Sequence, residues 1–282
     1  GSGPSYTASG RVQGWILNQF FLSEHDGFLR VATMTGTRGN NDAASHVFVL
    51  REGAKEHFSA GGNDEKRDFM RQVGSVRDIA VGEDLYAARF QGDVGYLVTF
   101  RETDPLWTID LSDPEDPRVL GELMVPGYST YIHPIDGEKI IAVGRGDRSE
   151  AGVKLSLFDV SNLNRPRVVE EQIIGDDSTV SEAIVEHRAF NWMPEHRLLA
   201  LPIRTPRASG LNVYEVSHSR GFIYKGRISH NEMSDSAWVT VRRSLTVDDA
   251  IWSHSSAGIS VTDASTLQTL VAIDLPDVEL VR

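Results

Sequence analysis

Eight consecutive residues, Ser181-Glu182-Ala183-Ile184-Val185-Glu186-His187-Arg188, gather a serine, two carboxylates, an imidazole and a guanidinium. A carboxylate beside a histidine suits proton transfer, and the same pair can ligate a metal. Acid–histidine pairs also tie neighbouring strands together. On that reading Glu182 and His187 are expected to be substantially buried, hydrogen-bonded to protein and mainly structural. Four arginines, Arg89, Arg188, Arg242 and Arg243, add a second chemistry. Guanidinium groups converging on one cavity repel one another unless an anion lies between them, or unless Glu182, Glu186 or Asp248 pairs with them.

Other chemistries are bounded by what the 282 residues lack. There is no cysteine, which excludes disulfides, thiolate zinc sites and a cysteine nucleophile. His25-Asp26 and His254 stand isolated, and no two histidines share the spacing of a zincin helix. Asp113-Pro114-Glu115-Asp116 and Gly175-Asp176-Asp177-Ser178 offer oxygen ligands for calcium, yet neither alternates its acids as an EF-hand loop does. No cofactor and no metal ligand is therefore expected, with calcium the one ion these turns would suit. The sequence holds no glycine-rich phosphate loop and no Gly-x-Ser-x-Gly elbow. With 40 acidic against 28 basic side chains and a net charge of −12, nucleic acid is an unfavoured partner. No run of 18 apolar residues is present to span a membrane as a helix.

The elements that must position these residues show in an internal repeat. An acid, any residue, then serine follows an alternating strand four times: Asp110-Leu111-Ser112, Asp159-Val160-Ser161, Glu215-Val216-Ser217 and Asp263-Ala264-Ser265. The acids are 49, 56 and 48 residues apart, the period of a repeat built from several short strands. This predicts an all-β fold, a β-propeller of about five four-stranded antiparallel blades around a pseudo-axis, at about 15–60, 85–125, 128–174, 186–229 and 236–276. Radial packing of each blade on the next buries apolar faces that no blade can bury alone. The first strands are expected at Trp15–Phe21, Tyr86–Phe90, Ser129–His133, His187–Trp192 and Ala237–Arg243. In the first blade, where Leu50 replaces the acid, the fourth strand is expected at Lys55–Ser59. Gly61 to Gly82 is then a linking excursion with one helical turn. Residues 1–9 are expected to be a cloning scar or disordered lead-in, and residues 10–282 a single domain.

Ala88-Arg89-Phe90-Gln91-Gly92-Asp93-Val94-Gly95-Tyr96-Leu97-Val98-Thr99-Phe100 and the Asp110-Leu111-Ser112-Asp113-Pro114 strand end resemble a family of secreted bacterial and archaeal β-propeller proteins, distantly related to WD-type repeats. Gly152-Val153-Lys154-Leu155-Ser156-Leu157-Phe158-Asp159-Val160-Ser161, His187-Arg188-Ala189-Phe190 and Val241-Arg242-Arg243-Ser244-Leu245 are similar to it as well. The resemblance covers nearly the whole chain. It implies an exported or surface-attached propeller, usually longer than this chain, with no established activity from which catalytic residues carry over.

Propeller sites lie where loops from several blades converge at the channel mouth. The ligand-binding candidates there are Asn18, Arg89, His133, Glu182, His187, Arg188, Asn191, Arg242 and Arg243, with Gln19 and Tyr131 beside them. The five expected first strands carry no Asp or Glu, which disfavours the paired carboxylates of glycoside hydrolysis. The expectation is a non-catalytic platform that binds a protein, glycan or envelope partner. The alternative is a metal-assisted hydrolase or lactonase built around Glu182, Asn18 and Asn191.

Overall fold

A computed structural model describes residues 3, 6–53, 56–60, 63–67, 69–101, 104–147, 149–233 and 239–275. The chain divides into two compact units, Gly1–Val125 with Leu163–Pro166, and Pro126–Asn162 with Arg167–Arg282. In the first unit, β1 (Leu22–His25), β2 (Phe28–Thr35) and β3 (Ala44–Glu52) precede a separate hairpin, β4 (Glu56–Ala60) and β5 (Asn63–Arg67). The chain then returns as β6 (Met70–Ile79) to complete a blade of order β1-β2-β3-β6. The second blade is β7 (Asp84–Gln91), β8 (Val94–Phe100), β9 (Asp104–Asp110) and β10 (Arg118–Val125).

Three blades make up the second unit. They are β11 (Tyr128–Pro134), β12 (Lys139–Arg145), β13 (Val153–Asp159) and β14 (Arg167–Ile174); β15 (Asn191–Met193), β16 (Leu198–Thr205), β17 (Ala208–Ser217) and β18 (Gly221–Ile228); and β19 (Arg243–Val247), β20 (Ala250–His254), β21 (Gly258–Asp263) and β22 (Thr269–Asp274). All pairings within these blades are antiparallel. Middle strands such as β3, β12, β13 and β16 are buried almost end to end, as strands covered on both faces must be. Asp26 and Gly27, with φ of 52° and 78°, give the β1–β2 hairpin a two-residue turn matching the twist of its strands.

The repeated acid marks the same place in each blade that carries it, the third strand near its end. Asp110, Asp159 and Asp263 close β9, β13 and β21, and Glu215 lies two residues before the end of β17. The reason is local. Asp110 Oδ1 accepts from the Ser112 N–H at 2.9 Å, and Asp159 Oδ1 from the Ser161 N–H at 3.0 Å and Oγ at 2.6 Å. Asp263 takes the N–H groups of Ser265 and Thr266 at 3.0 and 2.8 Å. A short carboxylate thereby bends the chain out of the strand into the turn. Glu215, one methylene longer, instead pairs with Lys225 on the neighbouring strand at 3.5 Å.

A second repeat shows only in the register. Each fourth strand carries a bulge, with Val73, Leu120, Val169, Lys225 and Leu270 as the unpaired extra residues. Beyond the bulge, one row of partners crosses each blade. These rows are Ser23–Arg30–Val49–Gly74, Arg89–Tyr96–Thr108–Gly121, His133–Ile141–Leu157–Glu170, Asn191–Ala200–Val213–Gly226 and Leu245–Trp252–Val261–Val271.

Several expectations are corrected. Trp15–Phe21 is not a strand; Gln19–Phe21 is a 3-10 turn and β1 follows it. The fourth strand of the first blade is β6, inside the stretch expected to be a linker. The segment expected to be that strand pairs with β5 instead, and Lys55, Gly61 and Gly62 lie outside the described residues. His187–Ala189 is a 3-10 turn, leaving only Asn191–Met193 as strand. The last blade opens at Arg243 rather than Ala237, which also lies outside the described residues. The revised first strands do carry acids, Glu24 and Asp84. Ser9 forms a parallel bridge with Phe69.

Candidate functional site

The segment singled out by its chemistry, Ser181–Arg188, forms the approach to the fourth blade as two consecutive 3-10 turns. Side chains set both turns: Ser181 Oγ accepts from the Ala183 N–H at 3.3 Å, and Glu186 Oε1 from the Arg188 N–H at 3.2 Å. Neighbouring strands pin the segment. Val180 and Arg204 exchange backbone hydrogen bonds of 2.9 Å, and Thr130 Oγ1 donates to the Ile184 carbonyl at 2.6 Å. Arg145 donates to the carbonyls of Thr179 and Asp177 at 2.7 and 2.9 Å.

The two carboxylates of this segment do different things. Glu186 gathers the arginines: Arg188 Nε and Nη2 donate to its two oxygens at 2.9 and 3.1 Å, and Arg243 Nη2 lies 3.3 Å from Oε2. The bond from the Arg188 side chain, then that from its N–H, with the Arg243 charge behind them, pull the Glu186 carboxyl down to about 2. It is ionised at any ordinary pH and anchors cations. His187 Nδ1 lies 3.5 Å from Glu186 Oε1, so Glu186, not Glu182, is its acidic neighbour. His187 also stacks on Tyr131 with centroids 6.3 Å apart, and Tyr131 and His133 pack on Phe190 at 5.1 and 4.9 Å.

Glu182 is neither buried nor paired, contrary to expectation. It is half-buried, and among the described residues its carboxylate has no hydrogen-bond or ion-pair partner. It lines a cleft of about 490 Å³ whose apolar side is Val180, Ile184, Val185, Pro202, Ile203 and Val241, with Ser181 and Thr240 also in its wall. Val185 is 86% exposed at the rim. Arg145 and Arg204 also border the cleft. The apolar wall residues carry no catalytic signature, so a search by chemical type passes over them. The adjacent Ile184-Val185 inside a polar loop was the available signal.

Most of the remaining candidates have partners within the protein. Asn18, in the first unit, accepts from the Phe20 N–H at 3.0 Å and caps the turn before β1. Arg89 lies 4.3 Å over the Phe20 ring. His133 Nδ1 bonds the Tyr131 hydroxyl at 3.0 Å. Asn191 Nδ2 reaches Ser244 Oγ at 3.1 Å and Thr246 Oγ1 at 3.4 Å. Arg242 is exposed. Arg188 and Arg243 do not converge unpaired on a cavity, because both meet Glu186, one of the acids named for such a pairing. The acids suggested for calcium cap their own turns: Asp113 Oδ1 takes the Glu115 N–H at 3.0 Å, and Asp176 Oδ1 the Ser178 N–H at 3.0 Å. Among the described residues no three His, Asp or Glu side chains are grouped to hold a metal. The revised first-strand acids are also occupied, Asp84 by the Gly39 N–H at 2.8 Å and Glu24 by the Gly27 N–H at 3.1 Å.

Five four-stranded blades with a common cross-blade row agree with the comparison to known families, in which residues 1–267 match the beta propeller domain. The chain belongs to the β-propeller domain family. Two archaeal relatives of this propeller, both described only as uncharacterized, come from Methanocaldococcus jannaschii and Archaeoglobus fulgidus. They share 31% and 34% identity over 94% of this chain. The propeller spans 38% and 36% of their lengths. Among solved structures it is similar to Sqt1 from Chaetomium thermophilum, at 13% identity and a TM-score of 0.51, over 89% of this chain and 59% of that one. That likeness is one of fold. No helix among the described residues is long and apolar enough to cross a membrane.

Proposed function

We propose that this propeller is a non-catalytic binding platform, and that it holds an apolar segment of a partner protein in the cleft leading into its fourth blade. The observation that carries the reading is the pairing of a mostly apolar cleft with a half-buried, partnerless carboxylate, Glu182. A groove that is mostly apolar with one or a few polar groups binds by burial and orients its occupant by the polar contact. The matching ligand is an extended peptide with branched or aromatic side chains and a lysine or arginine set against Glu182. The nearby Glu186 is committed to two arginines and supplies no proton donor at neutral pH. Export or surface attachment is part of the proposal and rests on the family resemblance; fractionating the native cells tests it separately.

Titrating a library of apolar peptides, with and without a basic residue, while following thermal unfolding tests the cleft, because a ligand of the native state raises the Tm. Val185→Asp is expected to weaken the best peptide by about tenfold, the loss of an apolar contact at the rim. Glu182→Gln is expected to weaken only the basic peptides. A protein stabilised equally with and without these substitutions, or stabilised by oligosaccharides and by no peptide, overturns the reading.

A further inference from the structure

The cross-blade rows show how one blade receives the next, and the row of the fifth blade is largely exposed. In the first unit, a Cβ placed on Gly74 would overlap the Pro114 carbonyl and lie 2.8 Å from Pro117 Cδ. Gly121 meets the Leu163 carbonyl and Pro166 in the same manner, and Thr108 of its row donates to Leu163 O at 2.6 Å. In the second unit, Glu170 accepts the Phe222 N–H beside Gly221, and a Cβ on Gly226 would lie 2.9 Å from Leu267 Cδ1. All four post-bulge positions therefore seat the turn that joins the third and fourth strands of the following blade. Other members of the first and fourth rows face the same way: Arg30 donates to the Gly92 carbonyl, and Asn191 bonds Ser244 and Thr246.

The fifth row, Leu245–Trp252–Val261–Val271, breaks the pattern by exposure. Leu245 is 55% exposed, Trp252 37% and Val271 49%, and Leu270 and Ile273 beside them are 58% and 49%. Every residue of β22 is exposed, which holds for no other fourth strand. The opposite face of this blade is already used, since Ile251 is packed into one core with Ala200, Val213 and Ile228 of the fourth blade. An apolar face on a regular strand is a surface built to be covered.

We propose that this face is the seat of a sixth four-stranded blade of the same build, carried on polypeptide that flanks these 282 residues. Four junctions within the molecule show the occupant such a row takes, and this chain spans only 38% and 36% of its archaeal relatives. The sixth blade lays the turn between its third and fourth strands on Val271 and its lead-in against Leu245 and Trp252. Val271 stands where Gly74 and Gly121 accept tight backbone contact and Gly226 a leucine side chain, so the sixth turn sits farther out.

The test compares the 282-residue chain with the full-length polypeptide. Acrylamide quenching, read as the difference between each protein and its Trp252→Phe variant, is expected to reach Trp252 in the short chain and to be blocked in the long one. Val271→Lys is expected to leave the Tm of the short chain unchanged and to lower that of the long one by about 5 °C, the effect of one or two disrupted apolar contacts. Equal quenching together with a neutral Val271→Lys in the full-length protein overturns the proposal. So does a short chain that sediments as a dimer with Trp252 shielded, which assigns the face to a second copy.

Discussion

Buried His230 illustrates how a polar side chain can be satisfied without a charge. It is 0% exposed, with Nδ1 2.8 Å from Ser255 Oγ and Nε2 2.8 Å from Ser253 Oγ. Burial, and then the neighbouring His254, lower its pKa below the ordinary histidine value. The unfolded chain therefore takes up a proton at a higher pH than the native one. The stability tied to His230 is whole above about 6.5 and is lost as the pH falls from there toward the lowered native value. His230→Gln is expected to cost about 1 kcal/mol at pH 8 through one lost hydrogen bond, and to flatten the fall in Tm between pH 7 and 5. A variant whose Tm still follows the wild-type pH curve would assign that dependence to other groups. Glu186 acts in a lower window. Its pKa of about 2 makes its contribution present above the usual carboxylate range and lost as the pH drops toward 2. An Arg243→Ala variant should show a shallower acid transition in the same measurement.

At the scale of the element, the same motif has different weight in different blades. Asp159 is buried and holds Arg167 at 2.6 Å and the buried Lys139 at 3.5 Å. Although burial opposes its charge, hydrogen bonds from Ser161 and Arg167 keep its carboxyl well below the usual range. Asp159→Ala leaves Lys139 buried without its near partner and is expected to cost about 3 kcal/mol. Asp263→Ala, at an exposed turn, is expected to cost far less; urea titration of the two variants makes the comparison. Gly121→Ala drives a Cβ into the Leu163 carbonyl and is expected to cost about 1–3 kcal/mol by overpacking. These elements were largely legible in the sequence because the acid, a local turn-former, recurs at one place in the third strand. The misreadings have physical causes. The β4–β5 hairpin separates β3 from its partner β6, so the period of the first blade is stretched and Lys55–Ser59 reads as its edge. At the fourth blade, Ser181 and Glu186 bond their own backbone and turn an apolar segment into 3-10 turns. The cleft was half legible: Glu182 was found by type, while its apolar walls come from separate strands and have no mark in the linear order.

For the whole molecule the acidic excess is the dominant long-range term. With 40 acids against 28 bases, the native state carries like charge in a small volume, which destabilises compact structure. The Tm is expected to rise with sodium chloride up to a few hundred millimolar as the repulsion is screened, and a falling Tm would show that specific ion pairs outweigh it. The bulged rows bear on a different matter, the order of events during synthesis. Four of the five post-bulge residues are capped by a turn that lies one blade later in the chain, so a nascent blade leaves the ribosome with its forward face uncovered. The chain is synthesised from its N-terminus at roughly 5–20 residues per second. A blade of this period therefore waits seconds for its cap, and a pause placed between blades lengthens the time for which that sticky face is bare. Slow codons are best tolerated after the third-to-fourth-strand turns, where the previous face has just been closed, and chaperone demand should peak just before them.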